Sequence, residues 1–265
     1  MMEETLNKYN LGLEMYLSGM STAKISKELK ISRSRFSSYL KNQGIKVDTM
    51  PHKKKINENI FEKIDTEEKA YWLGFLYADG AISSGKRNDI ELSLQLSDKE
   101  HLQKFKDFIE FGGKLIADDY RCRVSFKNKK MKQDLIKLGC TPKKSLSLNF
   151  PTEEQVPKEL ISHFIRGYLD GDGCIVCTKK HQSVEILGTK DILEGICLYG
   201  NIPIGRIYKT NCKSDEIFRL VTNKKEDVLN FCNYIYKDSN VYLERKFKKY
   251  KLLIEYFATH GRNIM

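Results

Sequence analysis

Two segments of the chain carry the same residue pattern, and each ends in an aspartate followed by a glycine. They are residues 70–80 and 163–173, which share Gly-aromatic-Leu, then one variable residue, a small residue, Asp and Gly in one frame. If both segments are helices that end here, Asp79 and Asp172 lie at the negative ends of two helix dipoles, and as neighbours they repel each other. Mg²⁺, which accepts one or two carboxylates and keeps several waters, would relieve this cost. An isolated Asp-Gly turn would be an ordinary helix end, but the duplication in frame favours a metal site.

The same segments carry small residues at a spacing that brings helices together. The residues four positions apart, and hence on one helix face, are Gly74 with Ala78 and Gly167 with Gly171. Since glycine inside a helix costs up to ~1 kcal/mol relative to alanine, we expect a packing reason for it. The pattern predicts helix 66–79 packed against helix 159–172 about a pseudo-twofold axis. Gly80 and Gly173 are then expected to end these helices in the left-handed conformation.

The residues that follow each segment alternate between strand and helix patterns in the same order. This order predicts two duplicated α-β-β-α-β-β-α units of an α+β fold, with residues 66–150 and 151–265 as the two repeats. The predicted elements, in pairs from the two repeats, are strand pairs 81–97 and 174–189, helices 98–111 and 190–200, strand pairs 114–127 and 205–222, and helices 129–139 and 224–236.

The strand patterns also predict a polar surface on each sheet. Arg121, Arg123, Ser125 and Lys127 alternate with Cys122, Val124 and Phe126, and Ile90, Leu92, Leu94 and Leu96 alternate with Glu91, Ser93, Gln95 and Ser97. Arginine and glutamine on such a face could pair with guanine and adenine in the major groove of DNA. The weaker candidates in the second repeat are Lys179, Lys180, Gln182, Lys209 and Arg219. Each of these residues could equally belong to a solvated strand face.

Residues 1–47 are predicted to form a separate helical unit. A first helix covers 5–17, and a second, capped by Ser21, buries one side. A third helix covers 33–42 and is capped by Ser32. The residues expected to bury the second helix are Ala23, Ile25 and Leu29, those expected to bury the third are Phe36, Tyr39 and Leu40, and Gly44 is expected to end it.

Two short helices joined by a tight turn resemble a helix-turn-helix DNA-binding domain. Arg33, Arg35 and Ser37 would lie on its recognition helix, where arginines and small hydroxyls suit phosphates and base edges. An ordinary three-helix capping unit is the alternative. Residues 48–65 read as a basic linker, with Lys53, Lys54 and Lys55 next to Pro51.

The composition fits a nucleic-acid partner. The 265 residues include 46 Lys+Arg against 35 Asp+Glu, a formal net charge of +11, which favours a polyanion. No apolar run approaches the ~20 residues of a membrane span, and the N-terminal stretch has no apolar core of a secretory signal. The seven cysteines are an odd, scattered number, so we expect a cytoplasmic protein rather than a disulfide scaffold.

The paired segments WLGFLYADG (72–80) and IRGYLDGDG (165–173) resemble the two motifs of single-chain LAGLIDADG homing endonucleases. The resemblance covers residues 66 to 258, and it implies that the two antiparallel sheets form a saddle over the major groove of DNA. It implies that Asp79 and Asp172 bind the metal, Mg²⁺ or another divalent cation such as Mn²⁺, and that the carbonyls of Ala78 and Gly171 join them. Asp170, at a variable motif position, is then expected to be structural.

The resemblance also implies a basic residue late in each repeat, near the active centre. The matching residues are Lys144 and Lys246, with Lys143 and Arg245 as the alternatives one position away. A solvated basic loop with no role in the active centre is the other interpretation of these residues. The implied activity is metal-dependent cleavage of both DNA strands across the minor groove, leaving short 3′ overhangs, in the setting of intron homing. Two repeats in one chain predict a monomer. A non-cleaving DNA-binding transcriptional regulator and an RNA maturase that binds intron RNA remain alternatives on the same fold.

Overall fold

A computed structural model describes residues 2–45, 47, 55–210 and 216–260. The chain divides into two units, residues 1–54 and 55–265. Lys53, Lys54 and Pro51 of the predicted basic linker lie outside the described residues. In the described part of the chain, no helix has both the length and the apolar character needed to cross a membrane.

The first unit is a three-helix domain. Its helices are α1 (Met2–Leu17), α2 (Thr22–Glu28) and α3 (Arg33–Asn42). The side chains of Ser21 and Ser32 accept hydrogen bonds from backbone N–H groups in the first turns of α2 and α3, as predicted, because these N–H groups have no partner inside the helix. The helix α1 begins three residues before the predicted start.

The core of this unit differs from the prediction at one position. Ile25, Phe36 and Leu40 are fully buried, but Ala23 is exposed and Thr22 is buried in its place. The tight turn between α2 and α3 depends on Lys30, whose φ of 53° is in the left-handed region, and Gly44 follows α3 with a φ of 72°.

The second unit contains two copies of one arrangement of helices and strands. The elements of the first copy are α4 (Glu67–Asp79), β1 (Gly80–Ile82), β2 (Asp89–Gln95), α5 (Lys99–Phe108), β3 (Ile116–Ala117), β4 (Arg121–Lys127) and α6 (Lys129–Lys137). Those of the second are α7 (Ile161–Asp172), β5 (Gly173–Cys177), β6 (Gln182–Gly188), α8 (Lys190–Gly200), β7 (Ile207–Lys209), β8 (Phe218–Thr222) and α9 (Lys225–Tyr236), followed by α10 (Glu244–His260). The predicted duplicated α+β fold is confirmed.

Each copy builds one four-stranded antiparallel sheet. The strand order is β1-β2-β4-β3 in the first sheet and β5-β6-β8-β7 in the second. Alternating apolar residues of β2 and β4, such as Leu92 and Val124, are buried against the helices, and the residues between them face away. The prediction was wrong for Leu96, which is 36% exposed, because β2 ends at Gln95 and a 3₁₀ turn begins at Leu96.

The two copies meet where α4 packs against α7. A Cβ atom on Gly74 would collide with the backbone carbonyl of Phe164, and one on Gly167 would collide with the carbonyl of Tyr71. Each colliding carbonyl lies three residues before the opposite glycine, so the two contacts are related by the pseudo-twofold axis. Here any side chain would push the two helix backbones apart.

Gly80 and Gly173 do not have the predicted left-handed conformation. Their φ values are −74° and −100°, and each residue starts a β-strand directly after the helix. Glycine is required for a steric reason instead. A Cβ at Gly80 would lie 2.5 Å from the carbonyl O of Leu76, and one at Gly173 would lie 2.7 Å from that of Leu169. The chain therefore leaves the helix abruptly and enters the sheet without a connecting loop.

Candidate active site and nucleic-acid interface

Asp79 and Asp172 are the last residues of α4 and α7, and packing of these helices brings them together. Both side chains are exposed to solvent. A Cβ atom on Gly171 would lie 3.3 Å from Oδ2 of Asp79, so the Asp79 carboxylate reaches the turn of α7 that precedes Asp172. Like Gly167, Gly171 lies close to α4, since a Cβ added to it would collide with Ala78.

The pKa values of both carboxyl groups reflect this crowding. Although solvent reaches the side chains, the surrounding protein removes part of their hydration and raises the pKa of Asp79. For Asp172 the same desolvation, followed by repulsion from Asp79, raises the pKa to about 6. Lys144 and Lys246 oppose both shifts. The site therefore holds two carboxylates that repel each other in a partly dehydrated, cationic setting.

Lys144 and Lys246 lie beneath these carboxylates, and both are almost completely buried. Nζ of Lys144 donates to the carbonyl O of Ala78 at 3.0 Å. Nζ of Lys246 donates to the carbonyls of Leu169 at 2.6 Å and Gly171 at 3.3 Å, and also to that of Asp170. The loss of hydration lowers the pKa of Lys246 to about 8. Lys144 thus holds the last turn of α4, and Lys246 holds the last turn of α7; these are the two motif helices.

The residues one position away point elsewhere. Lys143 is exposed and has a left-handed φ of 58°. Arg245 is half exposed, and its Nε donates to the carboxylate of Asp98 at 3.0 Å. The structure therefore places Lys144 and Lys246, rather than Lys143 and Arg245, against the ends of the two motif helices.

Asp170 is fully buried and faces away from solvent. Its carboxylate accepts hydrogen bonds from the Tyr71 hydroxyl at 2.8 Å, the Tyr236 hydroxyl at 2.6 Å and the Leu243 N–H at 2.7 Å. These three donors come from α4, from α9 and from the residue before α10, so the carboxylate ties the first repeat to the second. Its position is structural, because every carboxylate contact is made within the core.

Tyr77 occupies the position in α4 that Asp170 has in α7, and its surroundings are different. Its hydroxyl donates to the backbone carbonyl of Leu138, whereas Asp170 gathers three donors. The two lysines differ in the same direction, since Lys144 donates to one carbonyl and Lys246 donates to three. The two helix ends therefore carry the same pair of groups, an aspartate and a buried lysine, in unequal surroundings.

At the other end of the motif helices is a buried ion pair that the sequence pattern did not reveal. Arg166, 1% exposed, donates to Glu67 at 2.7 Å and to the carbonyls of Val241 and Ile235. Glu67 is on α4, so the pair crosses the interface between the repeats. An arginine among apolar residues in the motif, Ile165-Arg166-Gly167, was the available signal.

The outward face of the first sheet carries the predicted polar residues. Arg121, Arg123 and Lys127 are exposed on β4, where they alternate with buried Cys122 and with other apolar residues. Gln95 at the end of β2 is exposed, and its amide donates to Asp98 at 2.9 Å. The corresponding face of the second sheet carries Arg219, which lies 3.7 Å from Glu185.

The other predicted residues of the second repeat are not all on this face. Lys209 ends the edge strand β7 and borders a concavity of about 520 Å³ that also includes Asp172 and Arg219. Lys179 and Lys180 lie in the loop between β5 and β6 rather than on a strand. Gln182 differs from the expected outward placement, because its position in β6 alternates with the outward residues and its amide donates to the carbonyl of Thr178 in the preceding loop.

In the first unit, the predicted contact residues lie on α3. Arg35 is exposed and Ser37 is half-buried. Arg33 is partly engaged within the unit, since its Nε donates to the Thr22 hydroxyl at 3.3 Å. The exposed side of α3 therefore carries arginine, serine and lysine side chains.

Among the described residues, no three side chains of His, Cys, Asp or Glu converge into a ready-made metal centre. The donors near the two helix ends are two carboxylates and backbone carbonyls. This set of hard oxygen donors suits a cation that keeps several waters.

Comparison with known proteins gives matches in structure only. No protein-family model matches the chain, and no curated protein matches it. The LAGLIDADG homing endonuclease I-GzeII, in complex with its DNA target, superposes with a TM-score of 0.50 at 14% identity, over 77% of this chain and 94% of that one. I-SmaMI bound to cleaved DNA superposes with a TM-score of 0.51 at 11% identity, over 76% and 92%. Together with the duplicated sheets and the paired helices, these matches show that the chain has the LAGLIDADG homing endonuclease fold.

Proposed function

We propose that this protein is a site-specific DNA endonuclease of the homing type that hydrolyses one phosphodiester bond in each strand of a duplex. The observation that carries the proposal is the pairing of Asp79 and Asp172 at the ends of two close-packed helices, with a buried lysine behind each. One carboxylate for each strand would allow both strands of a duplex to be cut. The two similar structures contain DNA, cleaved in one case, and the net charge of +11 suits this partner.

The oxygen donors of the site fit a divalent cation, Mg²⁺ or Mn²⁺. Asp79 and Asp172 would hold it through their carboxylates, assisted by the carbonyls of Ala78 and Gly171. Each of these carbonyls already accepts a hydrogen bond from a lysine, but a carbonyl oxygen has two lone pairs and can take a second partner. When bound, such a cation activates water and stabilises charge on the attacking and leaving oxygens.

The buried lysines have two tasks in this proposal. Through their carbonyl contacts, Lys144 and Lys246 hold the last helical turns, and so the carboxylates, in place. Their positive charge also acts against the rise in the pKa of both aspartates, and the same charge would stabilise the scissile phosphate as negative charge builds up on it.

Binding of a long target would use both units of the chain. The outward sheet faces would contact the major groove, and α3 would add contacts through Arg33, Arg35 and Ser37. A tethered second domain raises the effective concentration of the first at the target. We assign residues 1–47 to this DNA-binding domain, 48–65 to a basic linker, and 66–150 and 151–265 to the two repeats. Since the two repeats already form a pseudo-dimer, the protein is expected to act as a monomer.

The proposal is tested in two steps. The Asp79→Asn/Asp172→Asn double variant is used to select duplexes from a randomised DNA library, and the selected duplex is then given to the parent protein with Mg²⁺ and with EDTA. The parent should cut both strands with Mg²⁺ only. Each single aspartate variant should lose double-strand cleavage but keep its affinity. Asp107→Asn, on the exposed side of α5, is the matched control and should cut like the parent.

Two results would refute the nuclease assignment. If the parent binds the selected duplex tightly and cuts neither strand with Mg²⁺ or Mn²⁺, the protein is a DNA-binding regulator. If a parallel selection enriches structured RNA and no DNA, the maturase alternative replaces it.

A further inference from the structure

The strand registers allow the two sheets to be compared residue by residue. Gly80 pairs with Leu92 and Gly173 pairs with Ile186, so Leu92 and Ile186 are equivalent. The next residue along each strand, Ser93 in β2 and Leu187 in β6, faces outward. Each of these is paired across the sheet with an arginine, Arg123 or Arg219.

The comparison shows which outward residues the two repeats share. The arginines are equivalent, and so are Glu91 and Glu185. These glutamates pair with Ala81 and Cys174, each of which follows a motif aspartate by two residues. The central position between the glutamate and the arginine differs in kind: it is a serine in the first sheet and a leucine in the second. The two repeats therefore present the same charged side chains around a polar centre in one case and an apolar centre in the other.

Leu187 is placed to contact a ligand. It is 46% exposed, although leucine in a strand is usually covered, and it lines the concavity of about 520 Å³ that also contains Asp172, Glu185 and Arg219. In the next strand but one, Tyr208 lies in the same row and is also 46% exposed. In a DNA major groove, the apolar group available to such a side chain is the C5 methyl of thymine.

We propose that Leu187 reads the methyl group of a thymine in the half-site under the second repeat, and that Ser93 leaves the first half-site without this preference. Arg123 and Arg219, as equivalent donors, would select the same base in both half-sites, since arginine pairs with guanine. The target is then pseudo-palindromic at the arginine positions and asymmetric at the neighbouring base pair. This inference rests on the proposed function, because it requires that the outward sheet faces bind duplex DNA.

The test measures binding, so it does not depend on cleavage. In the duplex selected by the Asp79→Asn/Asp172→Asn variant, each thymine is replaced in turn by deoxyuridine, which removes only the methyl group. One replacement in a single half-site should weaken binding about three- to fivefold, the value of one buried methyl group. The same replacement should have no effect when Leu187→Ser, which copies Ser93, is added. Ser93→Leu should create the sensitivity at the equivalent position of the other half-site once a thymine is placed there.

The outcomes separate the inference from the proposed function. If no duplex is enriched, the DNA-binding function itself is refuted. If a duplex is enriched but no deoxyuridine replacement changes its affinity, Leu187 does not read a methyl group and the inference is overturned while the endonuclease proposal stands. Retention of the full deoxyuridine effect in Leu187→Ser would also overturn it, because another residue would then contact the methyl group.

Discussion

Replacement of Gly74 by alanine tests the close packing of the two motif helices. The added Cβ would overlap the carbonyl O of Phe164, and it would lie 2.9 Å from the carbonyl carbon and 3.0 Å from the backbone N of Tyr168. Both neighbours are backbone atoms, so no side-chain rotation can relieve the contact and the helices must separate. Overpacking of this kind costs ~1–3 kcal/mol or somewhat more, and alanine returns up to ~1 kcal/mol of helix propensity. Because the neighbours are rigid backbone atoms, the overpacking cost should lie at or just above the upper end of that range. We therefore expect the free energy of unfolding to fall by about 2–3 kcal/mol.

The assay uses the single tryptophan of the chain, Trp72, which lies on the same helix and is 1% exposed. Its fluorescence reports unfolding of the second unit in urea. A loss of this size lowers the melting temperature by about 4–12 °C for a unit of this length. Gly205→Ala is the matched control, because no atom lies within 4 Å of its added Cβ. Equal stability of the Gly74→Ala and Gly205→Ala variants would refute the packing argument.

Three further predictions concern groups away from Asp79 and Asp172. Burial lowers the pKa of His101 to about 3, below its unfolded value of ~6.5, so its contribution to stability is present above pH 6.5 and is lost as the pH falls toward 3. Urea titrations at pH 7 and 4.5 measure the free energy of unfolding at each pH. Between these two pH values it should fall less for His101→Gln than for the parent. Arg166→Met leaves Glu67 without its buried cation and should cost about 3–5 kcal/mol in the same titration; a change under 1 kcal/mol would contradict the ion-pair argument. Ser32→Ala removes the cap of α3 and should destabilise the first unit by ~1 kcal/mol, measured by the loss of helical circular dichroism in an isolated fragment 1–54; an unchanged midpoint would show that the cap contributes nothing.

The buried lysines explain how the site tolerates its charges. Two carboxylates at helix C-termini are unfavourable both to each other and to the helix dipoles. Lys144 and Lys246 offset part of this cost because their ammonium groups bind the terminal carbonyls of the same helices. Burial of Lys246 is in turn sustained by three carbonyl oxygens, since an ammonium group removed from water needs all its donors satisfied. The lysines therefore stabilise the helix ends, whatever further role they have in the proposed reaction.

The sequence by itself determined the duplicated fold and the position of the paired aspartates. Periodicity is a local property, so strands, helices and caps such as Ser21 and Ser32 could be predicted from it. Small residues four positions apart indicated the close helix pair for the same reason. The boundary at Leu96 was missed because alternation continued one residue beyond the end of the strand.

Only the tertiary structure decided which side chains meet. The register of Lys144 and Lys246, the three donors of Asp170 and the Arg166–Glu67 pair each join residues far apart in the chain, which no local pattern encodes. Gly80 and Gly173 show the same limit in the backbone: the sequence required glycine there, but the reason is a close approach to the preceding helical turn rather than a left-handed turn. The difference between Ser93 and Leu187 became visible in the same way, because pairing across strands, and not spacing along the chain, makes those two residues equivalent.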